Sequence, residues 1–349
     1  MRKLRAAVIG AGNIAQSEHL PAYQMISDLV EVVAIADIQP QRSIEAAKRF
    51  GIPSAYGSAQ EMLEKESAID FVDVCTWNQS HAELSIQAME KGCAVICEKP
   101  LAIDLPSAER IAAAVGRTGV PFMVAMVSRF GSEAQLLKSM IDQGELGEVY
   151  FAKTGYLRRR GTPIGWFTDR SKSGGGALID IGVHNLDLTW WLMGCPKPVR
   201  VTGRTASYIG NFTTKGVTRW EALDKGNGVF DTEDSISGMI SFDNGSSLFL
   251  EASWAINGPG GEYTQLFGTK AGATLQPLTI YGENAQEYLV DVSPQTQKVN
   301  KFAQELKHLI HCIHTGETPI SPVSHGVSVQ RMIHGLYESA RLNREMVLE

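Results

Sequence analysis

LRAAVIGAGNIA, residues 4–15 of the chain, decides the fold of its first third. The stretch opens with a largely apolar run, and such a run is typical of a strand buried on both faces of a parallel sheet. Gly10 and Gly12 follow the run directly, and an amphipathic pattern begins after them. A strand, a glycine-rich turn and a helix in this order predict the opening of a βαβ unit.

Four more apolar runs follow at intervals that leave room for a helix between them. They are Val30–Asp37, Phe71–Cys75, Ala94–Cys97 and Phe122–Val127. Strands that alternate with helices predict an α/β fold with a doubly wound parallel sheet, covered by helices on both faces. We therefore expect a first domain over residues 1–127.

Residues 128–349 follow a different pattern, in which strands succeed one another through short turns. The predicted strands are Val149–Tyr156, Val199–Ser207, Ser235–Phe242, Ser247–Trp254, Tyr263–Phe267 and Ala273–Tyr281. The predicted helices are Ser132–Gln143, Ile181–Met193, Asn300–His314 and Val327–Asn343. Asp-Asn-Gly at 243–245 favours a hairpin. We expect a second, α+β domain with a large, mostly antiparallel open sheet, whose last helix stays within it or packs back on the first domain.

The composition excludes several classes of protein. The chain has 349 residues, a formal net charge of −6 and five cysteines. This length corresponds to about two domains, and the charge offers neither a basic surface for nucleic acid nor a polybasic membrane anchor. No apolar run approaches the roughly 18 residues of a membrane span. An odd number of cysteines without a CxxC pair favours free thiols and a cytoplasmic protein.

The glycine-rich turn has the form of a dinucleotide-binding motif. Gly10, Gly12 and Ala15 match the spacing G-x-G-x-x-A, and Asp37 ends the next predicted strand, 22 residues after Ala15. The glycines let backbone N–H groups at a helix N-terminus reach a pyrophosphate, and the carboxylate suits the ribose hydroxyls of adenosine. A carboxylate repels a 2′-phosphate, so we expect NAD rather than NADP, although Arg42 leaves NADP open.

Two polar segments follow predicted strands at their carboxyl ends, where parallel α/β sheets bind ligands. TWNQSH at 76–81 follows one strand, and Glu98-Lys99-Pro100 follows the next. A lysine flanked by apolar residues and a proline is partly desolvated, which suits it to a chemical role. Alternatively, Glu98 and Lys99 are a solvated pair of opposite charges at a strand end.

A third motif, GGGALIDIGVH at 174–184, places Asp180 and His184 four residues apart, on one face of a helix. We expect Asp180 at the helix N-cap and His184 in about the first turn, where the helix dipole disfavours an imidazolium ion. The ring then stays neutral and can accept a proton. Alternatively, Asp180 only caps the helix and His184 is a core residue.

Together these motifs resemble the Gfo/Idh/MocA oxidoreductase family, named after glucose–fructose oxidoreductase, inositol dehydrogenase and a rhizopine catabolism protein. The resemblance rests on G-x-G-x-x-A, Asp37, T-x-N-x-x-H, Glu98-Lys99-Pro100, Arg129-Phe130 and G-G-G-x-L-x-D-x-G-x-H, in this order. It covers the whole chain and implies a Rossmann domain plus an α/β domain whose open sheet builds a homodimer or homotetramer. Trp77 and Ser128 depart from the pattern, since the family commonly has proline and tyrosine there.

The resemblance also implies the site. Lys99, Asp180 and His184 would form the catalytic group, the peptide before Pro100 would be cis, and the substrate would be a sugar, glycoside, inositol or other polyol. The candidate cofactor-binding residues are Gly10, Gly12, Asn13, Ile14, Asp37, Thr76, Trp77, Asn78, His81, Glu98 and Lys99. The candidate substrate contacts are Arg129, Tyr156, Arg158, Trp166, Asp180 and His184.

The reaction expected from these residues is oxidation of a secondary hydroxyl. His184 takes the O–H proton as general base, Lys99 hydrogen-bonds the same oxygen, and the carbon gives hydride to nicotinamide. Asp180 grips a neighbouring hydroxyl or orients Lys99 or His184. The alternatives are an NADPH-linked reductase, a trans-dihydrodiol-type dehydrogenase and a non-catalytic, nucleotide-sensing regulator of the same fold.

No metal site is expected. His308 and Cys312 have the i,i+4 spacing of helix-borne ligands, but no acidic partner lies on that turn. We expect this helix to be a surface or a dimer contact.

Overall fold

The computed structural model describes residues 2–348, which divide into two compact units. The first unit contains the residues up to Val127 together with Ala222–Lys225 and Asn300–Gln330. The second contains Ser128–Glu221, Gly226–Val299 and the residues from Arg331 onward. No helix within residues 2–348 is both long enough and apolar enough to cross a membrane.

A six-stranded parallel sheet forms the centre of the first unit. Its strands are β1 (Leu4–Ile9), β2 (Val30–Ala36), β3 (Ser54–Tyr56), β4 (Phe71–Val74), β5 (Ala94–Glu98) and β6 (Phe122–Ala125). They lie side by side in the order β3-β2-β1-β4-β5-β6, which is the strand order of a Rossmann sheet. β4, β5 and β6 are buried at every residue, as their unbroken apolar sequences predict.

The edge strand β3 is the one element of this sheet that the apolar pattern misses. It has only three residues, and all of them are half-buried. A strand this short at an edge has too few buried positions to produce a hydrophobic pattern.

Ten helices accompany the strands of the described residues. They are α1 (Leu20–Met25), α2 (Pro40–Phe50), α3 (Ala59–Lys65), α4 (His81–Glu90), α5 (Leu105–Thr118), α6 (Ser132–Asp142), α7 (Arg170–Ser173), α8 (Val183–Leu192), α9 (Lys301–Thr315) and α10 (Val323–Leu342). Wide π-helical turns, Ala15–His19 and Leu178–Gly182, lead directly into α1 and α8. Such turns occur frequently at functional sites. The second lies within GGGALIDIGVH, and the first begins at Ala15, the last residue of the glycine-rich motif.

The helix ends are capped in several ways. The Ser58 hydroxyl accepts a hydrogen bond from the Glu61 backbone N–H at 3.1 Å, which caps α3. Gly51 and Gly119 end α2 and α5 in the left-handed conformation. At α6 Gly131 occupies the N-cap, and the Ser132 hydroxyl donates to the Gln297 carbonyl.

The second unit contains a nine-stranded sheet. Its strands are β7 (Val149–Leu157), β8 (Pro198–Ala206), β9 (Ser235–Phe242), β10 (Ser247–Ser253), β11 (Gly261–Gly268), β12 (Gly272–Leu275), β13 (Leu278–Glu283), β14 (Leu289–Val292) and β15 (Met346–Val347). Their order is β14-β13-β12-β11-β7-β10-β9-β8-β15, and β7 with β10 is the parallel pair in an otherwise antiparallel sheet. The predicted class, a Rossmann sheet followed by a large, mostly antiparallel sheet, is confirmed.

The predicted strand Ala273–Tyr281 is wrong, because the structure divides it into β12 and β13. Gln276 and Pro277 separate the two, and the strands pair with each other as a hairpin. Proline has no N–H for a sheet ladder, so the apolar run could not continue as one strand.

The helix of the third motif lies flat on the second sheet. An added Cβ at Gly182 would lie 2.9 Å from the Ala252 Cβ on β10, so glycine permits this close approach. Further along, the Asn185 side chain donates to the Thr154 hydroxyl and the Gly155 carbonyl of β7, both at 3.3 Å. The helix therefore has a fixed position on the parallel pair β7 and β10.

Candidate active site

The glycine-rich loop after β1 has both of the properties that the motif requires. Gly10 has φ +98°, and an added Cβ would lie 2.5 Å from the Cys75 carbonyl oxygen. No other described residue comes within 4 Å of the Cβ position at Gly12, so this position is open. Asn13 and Ile14 are half-buried at the start of the helix, and the Asn13 side chain accepts the Leu223 backbone N–H at 2.7 Å.

Asp37 lies directly after β2 and is nearly buried. Its carboxylate accepts the Ala11 N–H at 2.9 Å and the Gln39 N–H at 2.8 Å, so it is tied to the glycine-rich loop. The Arg42 guanidinium lies 3.7 Å from the same carboxylate and donates to the Gln39 side chain. The fold therefore places an acidic and a basic side chain next to each other, at the position where the ribose of a dinucleotide is expected.

The segment after β4 is built around His81. Its ring is fully buried, with Nδ1 2.8 Å from the Pro100 carbonyl and Nε2 3.1 Å from the Thr76 carbonyl. Burial lowers the pKa of His81, although these two carbonyls oppose the change. His81 thus joins the segments after β4 and β5, and its role as a direct cofactor contact stays a prediction. Thr76 and Trp77 are half-buried, and Asn78 is buried.

Glu98 ends β5, and its carboxylate is buried. One oxygen contacts His19 Nε2 at 2.9 Å, and the other accepts the Lys99 backbone N–H at 3.1 Å. Lys99 is half-buried, and the Lys99–Pro100 peptide is cis, as the resemblance predicts.

The Gly174–Gly176 segment is held by a carboxylate that the motif does not contain. Glu233 is nearly fully buried, accepts the backbone N–H groups of Gly176 and Leu178 at 2.9–3.1 Å, and accepts the Tyr337 hydroxyl at 2.8 Å. Burial raises the pKa of Glu233, and the hydrogen bond from Tyr337 and those from the backbone oppose this. This carboxylate therefore anchors the start of the helix that carries Asp180 and His184.

Asp180 lies inside the π-helical turn, so the prediction that it is the N-cap is wrong; Ala177 occupies that position. The turn begins three residues earlier than the pattern suggests, because Glu233 already satisfies its first N–H groups. The Asp180 carboxylate accepts the indole N–H of Trp254 at 2.9 Å, and this tryptophan is completely buried.

The exposure pattern along this helix separates two side chains from the rest. Of all residues from Leu178 to Leu192, only Asp180 and His184 are partly accessible, and every other residue is buried. A helix that is buried all round has no solvated face on which to place polar groups. The two accessible side chains therefore mark a candidate site on an otherwise buried helix.

The candidate substrate contacts differ in their burial and in their partners. Arg129 is fully buried, with its Nε and Nη2 paired to the Asp187 carboxylate at 2.8 and 2.6 Å, and it lies over the Trp191 ring. This guanidinium spans one carboxylate of α8, so Arg129 has a structural role, and its role as a substrate contact stays a prediction. Tyr156 and Arg158 are half-buried and in contact, with the guanidinium 4.9 Å from the ring centre.

Trp166 belongs to an aromatic cluster in the second unit. Its ring stacks on Phe167 at 4.0 Å, and Phe167 meets Trp220 edge-on at 5.3 Å. Trp220 is about half exposed, at 48%. The cluster therefore presents aromatic surface that the core does not bury.

Sequence reasoning misses Glu233 and Trp254. Both lie more than 50 residues from the groups that they hold, and neither belongs to a local motif. Only their burial distinguishes them, and burial of a single polar or aromatic residue leaves no pattern in a sequence.

His308 has a structural partner. Its Nε2 accepts the Ile320 backbone N–H at 3.0 Å, and the Cys312 thiol lies 3.5 Å away. Because a ring nitrogen that accepts an N–H bond is occupied, His308 helps to fix the segment after α9.

Comparisons with known proteins assign the family. Residues 4–126 match the model of the oxidoreductase family with an NAD-binding Rossmann fold, and residues 134–274 match the GFO/IDH/MocA C-terminal domain. The chain is 33% identical to D-glucoside 3-dehydrogenase of Escherichia coli (strain K12), over 99% of this chain and 97% of the relative. It is 26% identical to scyllo-inositol 2-dehydrogenase (NAD(+)) of Bacillus subtilis (strain 168), over 91% and 88%.

The fold has close counterparts among solved structures. Levoglucosan dehydrogenase in complex with NADH and L-sorbose superposes with a TM-score of 0.86 at 23% identity, over the full length of both chains. The parallel sheet, the large second sheet and the family models agree with one another. The chain therefore belongs to the Gfo/Idh/MocA family, as its motifs predict, and is an oxidoreductase with an NAD-binding Rossmann fold.

Proposed function

We propose that this chain is an NAD-dependent dehydrogenase that oxidises one secondary hydroxyl of a sugar, glycoside or inositol. The observation that carries the proposal is the buried helix on which only Asp180 and His184 are accessible. An acid and a base on adjacent turns, held by Trp254 and by the Glu233 anchor, are suited to proton transfer.

The residues of the first unit fit a dinucleotide. The open position at Gly12 leaves space for a pyrophosphate beside the N-terminus of a helix, and Asp37 lies where ribose hydroxyls would bind. Asn13, Ile14, Thr76, Trp77 and Asn78 would hold the remainder, together with Glu98 and Lys99. NAD supplies the hydride acceptor when it is bound.

The preference for NAD rests on Asp37, whose charge opposes a 2′-phosphate. Arg42 is the opposing feature, because its guanidinium lies 3.7 Å from that carboxylate and partly compensates its charge. We expect NAD to bind more tightly than NADP, and we expect Asp37→Ser to bring the two dissociation constants closer together. Dissociation constants for both cofactors, measured with wild type and variant, test this.

In the proposed mechanism His184 accepts the proton of the substrate hydroxyl. Lys99 donates a hydrogen bond to the same oxygen and stabilises the negative charge that develops on it. Asp180, fixed by the Trp254 indole, accepts a hydrogen bond from a neighbouring substrate hydroxyl and orients the His184 imidazole. In the reverse direction His184 returns the proton.

Within this substrate class we favour glycosides. The relative named D-glucoside 3-dehydrogenase matches nearly the whole chain. The cluster of Trp166, Phe167 and Trp220 presents aromatic faces in the same unit as Asp180 and His184, and such faces suit the apolar C–H surface of a pyranose ring. Tyr156 and Arg158 remain candidate contacts for its hydroxyls.

The test is NADH formation at 340 nm with free sugars, glycosides, anhydrosugars and inositols. We expect turnover of a glycoside that disappears in His184→Ala and in Lys99→Ala, whereas His311→Ala, a control at an exposed histidine paired with Glu317, stays active. NAD binding without turnover of any substrate would favour the regulator, and a chain that binds no dinucleotide would contradict the proposal.

We also propose that the chain is a homodimer or homotetramer through the second sheet. One face of this sheet is buried under helices, and the opposite face is half-exposed. Phe151 and Phe267 stack there at 5.4 Å with the Lys153 ammonium 5.6–5.8 Å from both ring centres, and Met239 is 40% exposed. A half-exposed face that combines aromatic and charged side chains suits an interface between copies of the chain. Sedimentation of wild type and Met239→Lys tests the assembly, which should weaken in the variant.

The proposed compartment is the cytoplasm. Its support is that all five cysteines are free thiols in the structure.

A further inference from the structure

A cluster of buried polar side chains lies under the glycine-rich loop, entirely within the first unit. His19 is at its centre, with Nδ1 2.8 Å from the Asp73 carboxylate and Nε2 2.9 Å from the Glu98 carboxylate. The Tyr23 hydroxyl and the Cys75 thiol also donate to Asp73, at 2.9 and 3.2 Å. His19 and Asp73 have no exposed surface.

Three of these residues offer ligand atoms for a metal, since His19, Asp73 and Cys75 have such atoms within 4.8 Å of one another. The distances favour hydrogen bonds. Two ligands on one tetrahedral zinc lie about 3.3 Å apart, given bonds of about 2.0 Å, whereas His19 and Asp73 are 2.8 Å apart. The short separation is that of a hydrogen bond to a charged group, and Glu98 contacts the second ring nitrogen in the same way.

Both ring nitrogens of His19 therefore face carboxylates, and only an imidazolium ion can donate to both. Burial alone lowers the pKa of His19, but the Asp73 carboxylate and the Cys75 side chain together outweigh this, so the pKa lies well above its ordinary value. Burial raises the pKa values of Cys75 and Tyr23, which keeps both groups neutral beside Asp73. Glu305 on α9 is the further charged group that acts on Tyr23.

The cluster reaches the proposed active site through Glu98. Its second oxygen accepts the Lys99 backbone N–H at 3.1 Å, so one carboxylate connects His19 to the residue that carries the proposed catalytic amine. The Phe302 ring lies 5.3 Å from the His19 ring and limits its movement. A carboxylate fixed at both oxygens gives the backbone at Lys99 one position.

We propose that His19 is a positioning residue for the dehydrogenase reaction: it fixes the Glu98 carboxylate and thereby the segment that carries Lys99. The inference rests on the proposed function, because it gives His19 a role only if Lys99 acts on the substrate oxygen. His19 touches neither substrate nor cofactor in this role, and its effect is on turnover.

The experiment compares His19→Gln with Tyr23→Phe in the full chain. Glutamine keeps a polar group but cannot donate to both carboxylates, so we expect kcat to fall about tenfold or more. The dissociation constant for NAD should rise by a smaller factor, because Glu98 and Lys99 are only two of the proposed cofactor contacts. Tyr23→Phe removes a hydrogen bond from the same cluster without touching Glu98, and kcat should stay within about twofold of wild type. Turnover and NAD fluorescence titration measure these quantities.

The outcomes separate positioning from stability alone. Wild-type kcat in His19→Gln would overturn the inference, as would a loss of kcat in both variants that follows their melting temperatures. If His19→Gln does not fold, Glu98→Gln carries the test, and an unchanged kcat there overturns the inference equally. A stoichiometric metal ion in the purified wild type would also overturn it.

A different variant, Lys99→Ala, tests the proposed function itself. If Lys99→Ala keeps its turnover, the role of the lysine is wrong whatever His19 does. If Lys99→Ala is inactive and His19→Gln is fully active, only the positioning role is wrong.

Discussion

The two glycine-rich segments of this protein need glycine for opposite reasons. At Gly10–Gly12 a side chain would meet the Cys75 carbonyl at the first glycine and open space at the last. At Gly175 and Gly176 a side chain would overlap with the Tyr337 hydroxyl and with the Glu233 carbonyl oxygen. The first segment leaves open space at Gly12, whereas the protein itself fills the space around the second.

The spacing of a glycine motif therefore does not tell whether its glycines leave open space or permit close packing of the protein. A substitution in the second segment should damage the fold, and one in the first should damage the fold or cofactor binding according to its position.

Gly176→Ala should be the most damaging change. Its methyl group would overlap with the Glu233 carbonyl and come within 3.0 Å of the Glu233 carboxyl carbon. We expect a loss of about 3 kcal/mol in the free energy of unfolding, because neither group can move without releasing the helix that follows. Urea unfolding measures this. The matched control is Gly116→Ala in α5, where no described atom interferes and alanine should stabilise by about 0.5–1 kcal/mol.

Gly10→Ala should destabilise the first unit by about 2 kcal/mol, since φ +98° disfavours an L side chain and the methyl group would meet the Cys75 carbonyl. The same unfolding measurement applies. A variant as stable as wild type would mean that the loop adopts another conformation at no cost.

Gly12→Ala should leave stability within about 0.5 kcal/mol, because no described residue approaches the added methyl group. NAD binding should weaken by about tenfold, which corresponds to about 1.4 kcal/mol, since the methyl group occupies the space left for the pyrophosphate. Fluorescence titration measures the dissociation constant. Unchanged NAD binding would contradict the ligand-space interpretation of this segment.

Glu233→Gln should change the pH dependence of stability, and we rank this effect last. Burial raises the pKa of Glu233 above its ordinary 4.5, so the folded chain binds more protons than the unfolded chain just above that pH. The contribution of Glu233 to stability therefore falls as pH rises through this window. In the variant this fall should disappear. The free energies of unfolding of wild type and variant, measured from pH 4 to 7, test this. The free energy of wild type relative to the variant should decrease as pH rises.

The first sheet was largely predictable because its strands are buried on both faces and each apolar run corresponds to one strand. The second sheet was less so. One of its faces is half-exposed, and the predicted strand Ala273–Tyr281 continues through Pro277, where the chain in fact turns into a hairpin. The short strands β3 and β15 have too few buried residues to be visible in sequence.

Within the candidate site, the contrast between Arg129 and Asp180 is instructive. Both belong to recognisable motifs, yet Arg129 is buried against Asp187 and Asp180 remains accessible. A charged residue in a motif can serve either the core or the substrate, because the choice depends on a partner that is distant in sequence. For Arg129 the partner lies 58 residues away.

The Rossmann sheet, the dinucleotide motif with Asp37 and the spacing of Asp180 and His184 on one helix can all be predicted from the sequence. These depend on local spacing and on continuous burial, which a linear pattern records. That Glu233 and Trp254 hold that helix, and that His19 lies between Asp73 and Glu98, becomes visible only in the folded chain. Buried polar groups take whichever partners the fold brings within hydrogen-bond distance, and no short-range pattern encodes those partners.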